Sequence, residues 1–273
     1  MGHAKSHKSP YGSPASLLYN NIKALFHREL MMSSRGRLGF AGIFIEPLAF
    51  IVGMSLLRYE MNPAPPLGSS MMLFFLNGVV VFYCFNRTEA DISASMTKNK
   101  VILAFPVITP FDIYATEFIM TMFVMLTIYH VFLVSHNFFI QGFYPDQVIW
   151  PKDILRVYFA ILMAGLYGFV LGVFNASLEV FFPVWGKAYS IVRRAQYLFS
   201  GKMFVVDYMP PTMREIIVWN PLMHPIELAR SAFYSQYESK SVDLGYFFTT
   251  MLCIAVIGFA LERFARKRLT TES

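Results

Sequence analysis

Long apolar runs recur along the chain, and they limit its fold more than any other feature. The stretch MMLFFLNGVVVFYCF over 71–85 is the plainest case. About twenty apolar residues let an α-helix cross the ~30 Å hydrocarbon layer. Helices also satisfy their own backbone polar groups, which lipid cannot do. The runs predict an all-α membrane protein with six spans, near 38–57, 69–86, 112–135, 155–178, 183–205 and 244–262. Only 15% of residues are charged, against about 25% in soluble domains.

The flanks read differently. Residues 1–13 are polar, carry Pro10 and lack an apolar core, so they suggest a disordered cytoplasmic tail and no cleavable leader. Ser13 and Pro14 suit an N-cap followed by a first-turn proline. Over 14–37, Leu18, Ile22, Leu25 and Phe26 share a face while Lys23, Arg28 and Glu29 lie elsewhere. This predicts a helix lying in the membrane interface, or one packed on a partner. The six-span unit then covers 38–262, and 263–273 is a basic cytoplasmic tail.

Positive charge sets the orientation, because Lys and Arg concentrate on the cytoplasmic side. With both termini inside, 14 basic residues fall inside and 7 outside, and the ERFARKR cluster follows the last span. The net charge of +6 thus reads as topology and not as nucleic-acid binding.

The fifth expected span is the unusual one. GKAYSIVRRAQYLFSGK, 186–202, is amphipathic when wound at ~100° per residue. Lys187, Ser190, Arg193, Arg194 and Tyr197 fall on one side, and Ala188, Ile191, Val192 and Phe199 on the other. Charge at the bilayer centre costs at least ~2.5 kcal/mol per Arg, so the stripe suggests a water-filled path for an anion. Snorkelling of both arginines to the cytoplasmic surface is the competing reading. Lys202, off the stripe, is expected to reach headgroups. Glu46 in the first span is either a group on the path or the partner of a basic neighbour near the inner interface.

Two connecting segments stand out. Residues 87–111, RTEADISASMTKNKVILAFPVITPF, form a long cytoplasmic loop whose polar half can be a short helix. Thr88, Asp91, Ser95 and Lys98 would then share an exposed face, beside Lys100. Residues 206–243 read as two short helices broken by prolines, one starting near Pro211 and one over about 222–237. Trp219, Tyr208, Phe233, Tyr234 and Tyr237 suit the outer interface, so a re-entrant or surface-lying pair is expected. In the fourth span, Ala164, Gly168, Gly172 and Ala176 form a small-residue groove, expected to pack inside the subunit.

Catalytic patterns do not assemble. Gly186-Lys187 and Gly201-Lys202 lack the glycine and hydroxyl residue of a phosphate-binding loop. No zinc motif, nucleophile elbow or paired aspartates occur, and His130, His136 and His224 are scattered. Cys84 and Cys253 sit in apolar runs with no ligand spacing. The acceptor-like sequences at Asn86 and Asn175 fall at a cytoplasmic edge and in a span, and count as chance.

Three groups of residues resemble a known family. They are Arg28-Glu29-Leu30 with Arg37-Leu38-Gly39 and Glu46-Pro47-Leu48; Phe105-Pro106 with Thr109-Pro110-Phe111; and Asn220-Pro221-Leu222, His224, Ile226-Glu227-Leu228 and Arg230. Over about 16–268 the chain resembles inner-membrane permeases of ATP-binding-cassette exporters for capsular and other long polysaccharides, the type-2 exporter fold. It departs from them at Phe40 to Phe44, where an aromatic Tyr or Trp is usual.

The resemblance implies a homodimer in the bacterial inner membrane, seated on two cytoplasmic ATPase chains that hold the ATP and Mg; this chain would bind no cofactor. It implies a lipid-linked polysaccharide cargo, and periplasmic and outer-membrane co-polymerase and export partners. Arg193, Arg194, Tyr197, Ser190, Tyr189, Lys187 and Glu46 would line the path, with tyrosines stacking on sugars. Asp91, Ser95, Lys98, Lys100, Phe105 and Pro106 would couple to the ATPase. Trp219, Asn220, Pro221, His224, Glu227 and Arg230 would be the periplasmic motif. A type-2 permease for O-antigen, teichoic acid, lipid or drug, and an integral-membrane glycosyl or acyl transferase, are the alternatives.

Overall fold

A computed structural model describes residues 14–34, 41–62, 64–103, 107–143 and 149–271. The tail 1–13 with Ser13, the Arg37-Leu38-Gly39 triplet and Phe105-Pro106 lie outside them. The described residues are helical: α1 (Pro14–Ser34), α2 (Ala41–Met61), α3 (Met71–Lys98), α4 (Lys100–Leu103), α5 (Pro110–Phe143), α6 (Ile154–Phe181), α7 (Trp185–Phe199), α8 (Pro211–Ile217), α9 (Met223–Phe233) and α10 (Leu244–Thr271). A 3-10 turn, Val206–Tyr208, precedes α8.

Among the described residues, four helices are long and apolar enough to cross a bilayer: Met71–Lys98, Pro110–Phe139, Ile154–Phe181 and Leu244–Arg268. Two of the six expected spans fall outside this set. The first expected span is the 21-residue α2, whose interior holds both Glu46 and Pro47. The fifth is α7, only 15 residues long, about 22 Å at 1.5 Å per residue. It stops at Phe199, and Gly201 follows in the left-handed region at φ +83°, where a Cβ would be strained.

The centre of the bundle is α3. Leu73, Phe74, Leu76, Val79, Val80 and Cys84 are fully buried, as befits a helix apolar all round. It packs on α6, and small residues make that approach possible. A Cβ on Gly168 would lie 2.5 Å from Phe85 O, and one on Gly172 would lie 2.8 Å from Ile92 Cβ. The small-residue groove of α6 is thus filled within the chain by α3. Ser70 caps α3 by accepting from Leu73 N–H, and Asp153 caps α6 by accepting from Arg156 N–H.

A further correction concerns the loop expected at 87–111. α3 runs unbroken through Lys98, so the polar half of that loop continues the helix. Thr88 and Ser95 do not share an exposed face. Both are buried, Ser95 at 1% exposure, and their hydroxyls donate to Cys84 O and Ile92 O in their own helix.

The segment 206–243 also differs from the expectation. Every residue of α9 is buried, so α9 is enclosed by protein rather than lying on the surface. Phe233, Tyr234 and Tyr237 are buried with it, while Trp219 and Tyr208 are exposed as expected. Lys152 and Asp153 N–H groups donate to Phe233 O and Ala232 O, tying the C-terminus of α9 to the start of α6. α10 starts beside the first turn of α9, where Asp243 N–H donates to His224 Nδ1, and its Phe247 packs on Tyr167 in the middle of α6.

Candidate functional site: a cavity against a broken helix

α7 is tied to the bundle by an ion pair whose carboxylate is buried and whose arginine is half-buried. Glu89 of α3 is fully buried. Its Oε2 accepts from Arg193 Nε at 3.0 Å and Nη2 at 2.7 Å. Its Oε1 accepts from Asn175 Nδ2 at 2.8 Å, and Asn175 Oδ1 accepts from Trp185 Nε1 at 3.0 Å. Thus α3, α6 and α7 are joined by one network in which both Glu89 oxygens accept. Satisfaction of this kind is what makes a buried carboxylate tolerable. Glu89 was not foreseen, although it lies in register with Phe82, Phe85, Ile92 and Met96 once α3 is read through to Lys98. Asn175, a polar residue in an apolar span, also called for a partner.

A cavity of about 610 Å³ opens between α2, α3 and α7. It is lined by Glu46 of α2, by Phe82, Tyr83 and Asn86 of α3, and by Ser190, Arg193, Arg194, Tyr197 and Leu198 of α7. Of the seven expected path residues, Glu46, Ser190, Arg193, Arg194 and Tyr197 meet here. The other two do not. Tyr189 is buried, its ring stacked on Trp185 at 6.3 Å and beneath the Arg193 guanidinium at 5.5 Å. It packs the helix down instead of facing the cavity. Lys187, in the first turn of α7, is exposed and outside the lining.

The two arginines divide the work. Arg193 is held by Glu89, so its charge is largely balanced. Arg194 is exposed and makes no ion pair among the described residues. Its charge borders the cavity without a partner carboxylate among the described residues. Three aromatic rings, Phe82, Tyr83 and Tyr197, form the inner wall. Rings of this type present an apolar face with polar edges.

The turn after α7 is locked from the other side by Arg230 of α9. Arg230 is fully buried. Its Nη1 donates to Gly201 O (2.8 Å), Phe204 O (2.6 Å) and Glu227 Oε1 (2.8 Å), and its Nη2 to Lys202 O (3.0 Å). The guanidinium also lies 4.4 Å from the Phe74 ring centre. Glu227 completes the clamp by accepting from Val206 N–H and from the Tyr237 hydroxyl. Asn220 donates to Phe199 O, the carbonyl at the end of α7, and its own Oδ1 accepts from Leu222 N–H. His224 Nδ1 accepts from Asp243 N–H at the head of α10. Pro221 starts the turn leading into α9, and Trp219 accepts the Tyr246 hydroxyl proton at its carbonyl. The motif read from the sequence is therefore a clasp joining α7, α9 and α10. Gly78 of α3 makes room for it, since a Cβ there would fall 2.6 Å from Lys202 O.

At the far end of α3, Asp91 lies 3.7 Å from Arg87 and 3.4 Å from Lys98. They line a second cavity of about 770 Å³ with Arg28, Glu29, Asn99 and Glu117. α1 grips both ends of the connection between α3 and α5. Arg28 donates to Asn99 Oδ1 at 2.9 Å, and Asn21 donates to Val107 O and to Asp112 Oδ2. Of the expected coupling residues, Asp91 and Lys98 come together here; Ser95 is buried behind them, and Lys100 stands in α4. The histidines at 130 and 136 bond within the bundle. His130 bonds Leu126 O and the Tyr158 hydroxyl, and His136 bonds Ser70. No group of three or more metal-ligating side chains occurs among the described residues.

Residues 20–234 match the family described as ABC-2 type transporter. The chain is also similar to proteins named for capsule export. It is 26% identical over 257 residues to the polysialic acid transport protein KpsM of Escherichia coli, covering 92% of this chain and 95% of that one. It is 22% identical over 247 residues to the capsule polysaccharide export inner-membrane protein BexB of Haemophilus influenzae, covering 89% of each. It is 22% identical over 264 residues to the like-named CtrC of Neisseria meningitidis serogroup A, covering 95% and 97%. With the matched region spanning most of its length, the chain belongs to the ABC-2 type transporter family.

Proposed function

We propose that this chain is the membrane permease of an ATP-driven exporter that carries lipid-linked, acidic capsular polysaccharide across the bacterial inner membrane. It works as a homodimer with its termini in the cytoplasm, and two copies of a separate cytoplasmic ATPase hydrolyse ATP with Mg. Periplasmic and outer-membrane co-polymerase and export proteins continue the route.

The observation that carries the reading is the cavity between α2, α3 and α7, where Glu46, Ser190, Arg194 and Tyr197 meet an aromatic wall. Sugar rings stack on aromatic faces, and exposed guanidinium groups attract carboxylates or phosphates. Such contacts are individually weak, which suits a chain that must slide. The names of the relatives favour the capsular cargo. The grip of α1 on both Asn99 and Asp112 supports a coupling role for the 87–111 region. A push on α4 would pass directly to α1 and α5. The test is a deletion strain complemented with the wild-type gene or with Arg194→Glu. Wild type restores surface polysaccharide; Arg194→Glu leaves lipid-linked glycan inside while co-purifying with its ATPase. Accumulation of some other lipid or solute in the deletion strain would overturn the cargo, and full export by Arg194→Glu would overturn the path.

A further inference from the structure

Behind the aromatic wall lies an amine that nothing above uses. Lys202, expected at the headgroups, turns inward and is 0% exposed. Its Nζ has no hydrogen-bond partner, although an ammonium carries three donors. Four rings surround it, with centres 3.0 Å (Tyr197), 3.8 Å (Phe82), 4.7 Å (Phe50) and 5.8 Å (Tyr83) away. The ring quadrupoles partly compensate a cation there, but they accept no full hydrogen bond. A lysine buried at this depth without an acceptor is costly, and charged groups kept within a membrane bundle mark functional sites by default.

Placement gives it a use. Tyr197, Phe82 and Tyr83, which enclose Nζ, are also the inner wall of the 610 Å³ cavity. One layer of rings separates the lysine from the space where a guest would sit. Its backbone cannot drift, because Lys202 O is held by Arg230 and the turn is packed on Gly78. Its side chain, in contrast, is restrained only by ring faces. Tyr197 is the nearest ring and stands on α7, half-buried, at the cavity edge. Rotation of that ring opens a route for the long lysine stem.

We propose that Lys202 is a concealed anion receptor: when the Tyr197 ring swings aside, its ammonium binds a carboxylate or phosphate borne by the cargo, next to Arg194. This rests on the export reading and deepens it, by making recognition depend on charge deeper in the chain's path than Arg194.

The test uses the full chain in phosphatidylcholine nanodiscs, with oligogalacturonate as acidic probe and its methyl ester as the neutral probe of the same backbone. Wild type should bind the acid more tightly than the ester. Lys202→Met should lose about tenfold in affinity for the acid and leave the ester unchanged. Its melting temperature should match or exceed wild type, since a thioether suits an aromatic cage. A fall in melting temperature with unchanged acid-over-ester preference would make Lys202 a structural strut and overturn the proposal. Equal binding of both probes by wild type and variant would overturn it while leaving the glycan path standing. Binding of neither probe by wild type would remove the export reading and the proposal together. Native mass spectrometry after reconstitution with phosphatidylglycerol separates the sources of anion. Loss of retained phosphatidylglycerol in Lys202→Met, with oligogalacturonate affinity unchanged, would assign the anion to bilayer lipid and overturn the cargo claim.

Discussion

Two arginine-bearing regions face each other across the Gly201 turn, and they handle charge in opposite ways. In α9 the guanidinium of Arg230 is sealed in protein and bonded to Gly201, Lys202, Phe204 and Glu227. In α7 the charge of Arg194 is exposed on a cavity with no ion pair among the described residues, while its neighbour Arg193 is anchored to Glu89. Arg230 is buried and holds four acceptors with its Nη atoms, although its Nε has no partner, and it builds the fold. Arg194, exposed and without an ion pair among the described residues, is the charge the proposed path uses. Adjacent residues in one helix can therefore differ in role more than residues far apart in the chain.

The contrast can be attacked first where the effect is largest. Arg230→Met removes the donor from three carbonyls and leaves the Glu227 carboxylate buried without its cation. Breaking a buried pair in this way costs about 3–5 kcal/mol. Little folded protein should survive extraction, as judged by fluorescence-detected size-exclusion profiles. Normal yield and melting temperature would show that α9 does not hold the turn. Next, Gly78→Ala places a methyl group against Lys202 O, 2.6 Å from the ideal Cβ position. Overpacking of this kind costs roughly 1–3 kcal/mol, and thermal unfolding in detergent should fall accordingly.

The sharper test separates neighbours. Arg193→Ala leaves Glu89 buried and unpaired, so it should lower stability and export together. Arg194→Ala should shift stability by no more than about 0.5 kcal/mol and reduce export alone. Melting curves paired with surface-polysaccharide assays read both quantities. Equal loss of stability in the two variants would erase the distinction.

The smallest effect concerns pH at the cap beside α9. Burial raises the Asp207 carboxyl, but hydrogen bonds from the Ser241 hydroxyl and the Lys240 N–H outweigh it, with help from Ser239 and Tyr237. They hold it below the ordinary carboxylate range. A depressed acid contributes stability above its unfolded pKa, near 3.9, and loses it as pH falls through the folded value. Melting temperature should stay level from about pH 7 to 5 on this account and decline only below about pH 4. Asp207→Asn should abolish that part of the decline.

Much of this was legible in the residues, for uneven reasons. Apolar runs gave α3, α5, α6 and α10, because lipid leaves helices as the natural solution. The polar stripe of α7 gave Ser190, Arg193, Arg194 and Tyr197, since a 3.6-residue period fixes which side chains share a face. Its breakage at Gly201 was not legible, because the left-handed turn depends on Arg230, 29 residues later in the chain. Nor was the burial of Ser95 and Thr88: a polar segment at a span edge reads as a loop until α6 is seen packed along it. Lys202 was misplaced for a related reason. A periodic pattern assigns faces on a continuing helix, and the helix had already ended.

The central claim is that cargo passes through the space between α2, α3 and α7. The most direct measurement puts a photo-reactive amino acid at Leu198, on the cavity, and in a second strain at Val256, on the exposed face of α10. Illumination of exporting cells should attach polysaccharide to the chain at Leu198 and not at Val256. Capture at Val256 alone, with none at Leu198, would contradict the account.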